Sequence, residues 1–172
     1  MKICIAGLSA SGKTTLAREI ARELKIAHVQ QTYKRHVKSD SELIKMTKST
    51  SPKFIKDFDR EIASKARGKD CVISTWYGPW IISDATLRVW LNVSEKERIR
   101  RKAKEKRKSI AYMTEYVRAR DRTTQEQYKR AYGKAMDFDV FDIMLNMERV
   151  TKKEAVSIIS MLALMRDKKR FE

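Results

Sequence analysis

The stretch MKICIAGLSASGKTTLAREIAREL, which opens the chain, sets the tightest limit on its fold. A β-prone run at 2–6 leads into GLSASGKT, residues 7–14, which fits G-x-x-x-x-G-K-[ST]. Leu16, Ile20, Ala21 and Leu24 then share one face of a helix predicted over 12–24. A strand, a glycine-bearing loop and a helix in that order make a cradle for a polyphosphate. Gly7 and Gly12 let the backbone of Leu8, Ser9, Ala10 and Ser11 turn tightly with its N–H groups aimed inward. The helix start adds the positive end of its dipole. Lys13 has the reach for β- and γ-phosphates, Thr14 offers a hydroxyl to Mg²⁺, and Thr15 can donate to an α-phosphate.

The rest of the chain alternates in the same way. Runs at 26–30, 70–75, 87–93 and 140–146 are predicted as strands. Helices are predicted over 40–48, 52–67 and 112–132. In the second of these Phe54, Ile55, Phe58 and Ile62 share a face. Ser94 with Glu97 and Thr151 with Glu154 read as capping boxes; the first opens a helix through a basic stretch, the second a last helix to about 166. Strand runs this apolar fit a sheet buried on both faces. Strands alternating with helices imply right-handed βαβ units, hence an α/β sandwich around a parallel sheet. With 172 residues and no repeat or low-complexity linker, one domain is expected.

A formal net charge of +17 implies affinity for anions: nucleotides, nucleic acid or acidic surfaces. No apolar run approaches the about 18 residues of a membrane span. The chain goes straight into a strand-like run, so no signal peptide is expected and the chain is read as cytoplasmic. Cys4 and Cys71 sit in apolar runs and are expected to be buried thiols. His28 and His36 have no partner at metal spacing and are read as structural. Apart from Thr14, a Mg²⁺ ligand is hard to place, because no strand ends in an Asp; this argues against motor-type ATPases and GTPases. No base for a hydroxyl acceptor stands out either, which fits an acceptor that is already an anionic phosphate.

Two further stretches carry chemistry. Residues 98–108, RIRRKAKEKRK, hold eight cations and one acid. They read either as a lid whose arginines close over phosphates or as a solvated face or nucleic-acid patch. TWYGPW, residues 75–80, follows the third predicted strand where open α/β sheets bind ligands, so Trp76 or Tyr77 can stack on a base and Trp80 can pack a corner.

With these parts in place, the chain resembles the nucleoside monophosphate kinases, and among them the short archaeal-type cytidylate kinases. The resemblance runs through ICIAGLSASGKTTLAREIARELK, KDFDREIASKARGKDCVISTWYGPWIISDATLRVWLNVSEKERIRRKAKE and QYKRAYGKAMDFDVFDIMLN. It implies a P-loop NTPase-like three-layer sandwich with a five-stranded parallel sheet in a single domain over 1–172. It also implies a helical monophosphate-binding insertion at about 31–67 and a basic helical lid at about 96–120. The implied reaction passes the γ-phosphate of ATP to CMP or dCMP with Mg²⁺. By position Arg98 and Arg101 match lid arginines and join Lys13 as catalytic candidates. A third lid arginine falls at Glu105, where Lys104 or Lys106 can substitute.

Arg35, in TYKRH, matches an arginine that grips the acceptor phosphate. A pattern like R-E-x-S-E-x-x-R-Y stands here as RDRTTQEQY, which keeps Arg120, Asp121 and Tyr128; Arg120, Asp121 and Trp76 complete the acceptor-site candidates. The chain departs from the family at two positions, with Trp76 and Gln127 where arginines are usual. Those positions help hold the monophosphate and its base. CMP or dCMP therefore stands beside two other readings. One is a drifted paralogue with another phosphate acceptor. The other is a nucleic-acid-associated P-loop ATPase whose basic surface binds RNA. None of the three calls for a membrane.

Overall fold

The computed structural model describes residues 1–30, 32 and 37–167. Arg35 and His36 lie outside the described residues. In chain order the elements are β1 (Lys2–Gly7), α1 (Lys13–Glu23), β2 (Ala27–Gln30), α2 (Asp40–Ser49), α3 (Pro52–Ala66) and β3 (Cys71–Ser74). They continue as α4 (Gly78–Ile81), β4 (Leu87–Asn92), α5 (Glu95–Lys106), α6 (Ile110–Tyr132), β5 (Ile143–Asn146) and α7 (Lys152–Arg166).

The strands form one five-stranded sheet in the order β2-β3-β1-β4-β5, with every pair parallel. β1 lies at its centre, and Ile3, Cys4, Ile5 and Ala6 are wholly buried. Their uniform apolarity follows from helices covering both faces. On one side Ile3, Ile5, Val89 and Leu91 meet Leu16 and Ile20 of α1 and Ile159 of α7. On the other, Cys4 and Ile73 meet Ile62 and Ala66 of α3. Burying each such side chain contributes about 1.5–3 kcal/mol. α6 packs on α3 through Tyr128 and Ile55, and on α5 through Met113, Tyr116 and Val117 against Ile99 and Ala103. From β1 the chain crosses to the far edge strand β2; from β3 it crosses back over β1 to β4. The carboxyl ends of β1 and β3 thus border a point where the winding reverses, where α/β sheets bind ligands.

Local differences from the expected elements have specific causes. α6 begins at Ile110 because the Ser109 hydroxyl caps it by accepting from the Tyr112 amide. β5 begins only at Ile143: the Asp142 carboxylate accepts the Arg88 amide at 2.7 Å, and Phe141 leaves the strand for the rings of Trp80 and Trp90. TWYGPW contains the single-turn α4, with Pro79 in its first turn, where the missing N–H costs nothing. Thr151 and Glu154 form the reciprocal capping box, but Ser94 and Glu97 make only half of one. The Ser94 hydroxyl accepts from the Glu97 amide, while the Glu97 carboxylate turns to Arg100 and Arg101 and the Ser94 amide goes to Glu148. Cys4 and Cys71 are buried free thiols, and burial pushes Cys4 up to about 12. Among the described residues no helix is long and apolar enough to cross a membrane.

Candidate active site

The loop between β1 and α1 is wound as its glycines require. A Cβ on Gly7 would lie 2.6 Å from Ser11 Oγ and 2.8 Å from the Leu91 carbonyl oxygen, so only glycine fits there. Gly12 caps α1 with φ 95°, and Ala10 also takes a positive φ, 63°. The Ser11 amide closes the turn onto the Leu8 carbonyl at 3.2 Å. Lys13 Nζ folds back over this loop and donates to the carbonyls of Gly7 at 2.7 Å and Leu8 at 2.9 Å. Its ammonium also stands 4.6 Å from the centre of the Trp76 ring. Burial pulls its pKa down to about 7; Asp121 opposes the shift, while Arg98, Arg120 and Lys102 add to it. The Thr14 hydroxyl accepts from Gln30 Nε2 at 3.2 Å.

Lys13, Thr14, Thr15 and Trp76 line a cavity of about 420 Å³. Its other walls come from α3, α5 and α6. α5 presents Lys102 and Glu105; α3 presents Phe58, Asp59 and Ile62; α6 presents Tyr116, Arg120, Thr124 and Gln127. Lys102 Nζ donates to both Glu105 oxygens, at 2.7 and 2.8 Å. The Asp59 carboxylate accepts from the Tyr132 hydroxyl, and burial raises its pKa to about 6. Arg120 is buried and donates to the Thr47 hydroxyl at 3.3 Å.

The expected site residues therefore divide. Ser9, Ala10, Gly12, Lys13, Thr14, Thr15, Trp76 and Arg120 border the cavity. Gly7, Leu8 and Ser11 form the loop behind it. Arg98, Arg101 and Asp121 lie outside the lining, and each has a physical reason. The Arg98 guanidinium is buried and held by the carbonyls of Val93 and Ser9 and by the Asp121 carboxylate at 2.6 Å. Asp121 also accepts the Ser9 amide at 3.3 Å. The pair thus supports the loop from outside the cavity lining. Arg101 is drawn to Glu97, one turn earlier, and to the Met147 carbonyl.

Helical spacing explains the substitution on α5. Lys102 and Glu105 follow Arg98 by four and seven residues and share its face, and Arg101, one residue before Lys102, points about 100° away from Lys102. Sequence reasoning missed Lys102 and Asp59 as cavity groups, and named Gln127 only as a departure at a position that helps hold the monophosphate and its base. The seven-residue spacing from Arg98 to Glu105 was the available signal for Lys102; for Asp59 there was none without the α3–α6 packing. Lys106, one of the two offered as a substitute, is instead paired with Asp40 at 3.0 Å. The basic stretch is also less free than its composition suggests, because Arg98, Arg100, Arg101, Lys102 and Lys106 each have a carboxylate partner.

The sequence profile of the cytidylate kinase-like family matches residues 28–149. The chain belongs to the cytidylate kinase-like family. A cytidylate kinase of Pyrobaculum neutrophilum is 29% identical over 91% of this chain and 89% of the relative. Among solved structures, an uncharacterized protein of Eubacterium ventriosum superposes with a TM-score of 0.71 at 14% identity, covering 96% of this chain and 98% of the other. Shikimate kinase of Bacteroides thetaiotaomicron superposes with a TM-score of 0.57 at 20% identity, over 94% and 97% of the two chains. The likeness to shikimate kinase confirms the P-loop kinase fold. Family membership fixes the enzyme class as a nucleoside monophosphate kinase.

Proposed function

We propose that the chain transfers the γ-phosphate of ATP to CMP or dCMP, giving ADP and CDP or dCDP. The observation that supports this most is a single cavity bordered both by the glycine loop with Lys13 and by the α3–α6 walls. Donor and acceptor phosphates can then meet in one recess whose walls carry fixed cations. The loop amides and the α1 N-terminus bind the donor's polyphosphate. Lys13 exchanges its two carbonyl partners for phosphate oxygens, which are better acceptors for an ammonium. Lys102, on the cavity side of α5, adds a second cation toward the transferring group, and Arg120 a third from α6.

The donor set suits Mg²⁺. Among the described residues no cluster of three His, Cys, Asp or Glu side chains is placed to hold a metal, and the loop offers one hard oxygen ligand, Thr14 Oγ1. That matches an ion that keeps most of its waters and takes its other ligands from substrate phosphates. When bound, Mg²⁺ supplies charge neutralisation on the phosphate oxygens. No protein base is required, because an acceptor phosphate is already largely ionised near neutral pH.

Coupled ADP release measured with CMP, dCMP, UMP and AMP tests the reading. Turnover stimulated most by CMP or dCMP supports it, and no acceptor-stimulated ADP release with any of the four refutes it.

A further inference from the structure

Two polar side chains in the cavity lack a use in the chemistry above. Gln127 on α6 is 1% exposed, and its Nε2 has no hydrogen-bond partner among the described residues. An orphaned buried donor of this kind destabilises the site, a penalty a ligand acceptor would remove. Asp59 on α3 faces the same cavity and is 4% exposed. Its Oδ2 accepts from Tyr132, and Oδ1 has no hydrogen bond among the described residues. Phe58, Ile62 and Tyr77 add apolar and aromatic surface to the same lining. Tyr77 is fixed by donating its hydroxyl hydrogen to the Thr124 carbonyl at 2.7 Å. An acceptor and a donor without partners among the described residues, beside apolar and aromatic side chains, suit a planar, edge-polar ring.

Resting on the phosphate-acceptor reading, we infer that Asp59 and Gln127 select the acceptor by its base edge. Asp59 Oδ1 accepts from an exocyclic amine, and Gln127 Nε2 donates to the neighbouring unprotonated ring nitrogen or carbonyl oxygen. Cytosine presents this order, with its N4 amine beside N3 and O2. Uracil presents the reverse, with an acceptor O4 that faces the carboxylate unfavourably and an N3–H facing an amide donor. A carboxylate reading the cytosine amine is an established pairing in base recognition. Adenine shares the order of amine and ring nitrogen, so the two side chains define an amino-base monophosphate, with ring size as a separate filter. Gln127 is neutral where an arginine would be charged, so it leaves Oδ1 of Asp59, in the same cavity lining, to the ligand.

The test measures kcat/KM for CMP, UMP and AMP, and calorimetric binding of CMP and UMP without donor. The proteins are the native chain, Asp59→Asn and Gln127→Met, each checked for folding by thermal unfolding. The native chain is expected to favour CMP over UMP at least a hundredfold. Asp59→Asn, whose amide can donate to O4, is expected to cut that preference at least tenfold. Gln127→Met is expected to weaken CMP binding about tenfold while leaving affinity for an ATP analogue in place. AMP turnover that falls with CMP turnover in Asp59→Asn supports the same pairing. An unchanged CMP-to-UMP ratio in Asp59→Asn overturns the inference; should that variant fail to fold, unchanged CMP binding in Gln127→Met does so. If no monophosphate supports turnover but CMP binds and depends on these residues, the transfer reaction fails and the base assignment stands. If CMP does not bind at all, the base assignment falls.

Discussion

Arg98 and Asp121 form a buried ion pair at 2.6 Å, and both hold the backbone of Ser9 in the phosphate loop, Arg98 through its carbonyl and Asp121 through its amide. Burial raises the Asp121 pKa, and Arg98 is the largest opposing influence. Removing one member leaves the other charge buried and alone, which costs about 3–5 kcal/mol. Arg98→Met is therefore expected to lower stability by about 3 kcal/mol and raise the KM for ATP. The fall in kcat should stay well below the about 10³-fold or greater loss that follows removal of an arginine acting on the transferring phosphoryl group. Urea unfolding and steady-state kinetics on Arg98→Met, Asp121→Asn and the double variant check this. A full-size drop in kcat with native stability would return Arg98 to the lid role expected from its sequence position.

Lys13 supplies a pH-dependent signature. Its pKa in the folded protein is pulled down to about 7, mainly by burial. A polyphosphate stabilises the ammonium form, so binding must raise that pKa and draw in a proton at any pH above it. An ATP analogue is expected to bind with uptake of about one proton per site near pH 8.5, falling toward none near pH 6. Calorimetric titrations in buffers of different ionisation enthalpy measure the uptake. Lys13→Arg, which stays charged, should abolish it, and Lys13→Ala should lower turnover by about three orders of magnitude.

How much of this could be read in the sequence depended on whether the cause was local. The strand, glycine turn, lysine and threonine of the phosphate loop act within one short segment, so residue type and spacing sufficed. The three inner strands were legible because burial on both faces leaves no polar alternation to obscure them; the edge strands β2 and β5, buried in part, were legible as short apolar runs whose bounds shifted. Which face of α5 meets the cavity was not legible. A run of cations looks alike from every side, and only packing on α6 through Ile99 and Ala103 turns Lys102 inward and leaves Arg101 to Glu97. Asp59 and Tyr132 are 73 residues apart and meet only because α3 lies on α6. The half-formed cap at Ser94 shows the same limit: the spacing to Glu97 marks the helix start, but Arg100 and Arg101 compete for the carboxylate.

Asp59 should trade stability for its place in the cavity. Its folded pKa is raised to about 6, principally by burial, with the Tyr132 hydrogen bond acting against the shift. The folded protein thus holds this proton more tightly than the unfolded chain. The stabilisation is fully present below about pH 4 and is lost as pH rises through 6. At about 1.4 kcal/mol per pKa unit the loss amounts to about 3 kcal/mol at most. Asp59→Asn is neutral at every pH and still accepts from Tyr132. It is expected to be more stable than the native chain by about 1–3 kcal/mol at pH 8 and nearly equal at pH 4. Urea melts at the two pH values give the difference; an Asp59→Asn chain less stable at pH 8 would show that the carboxylate is held by partners stronger than Tyr132.

Lys102 and Glu105 make the last case. The ammonium is buried on the cavity side of α5 with 6% of its side chain exposed, while the carboxylate that grips it is 54% exposed. Glu105 can swing into solvent at little cost, and a phosphate can take its place on Nζ. The carboxylate is then a competitor for the ligand. Glu105→Gln should weaken that competition and lower the KM for ATP several-fold, while Lys102→Met should raise it about tenfold or more through loss of a charge-assisted bond. The two substitutions move KM in opposite directions only if Lys102 contacts the nucleotide. A purely structural pair would instead show matched losses of stability in both variants, with KM unmoved. Steady-state KM values and urea melts on the two variants separate the cases. Raising salt should narrow the gap between the native chain and Glu105→Gln, because the exposed carboxylate is the screened partner.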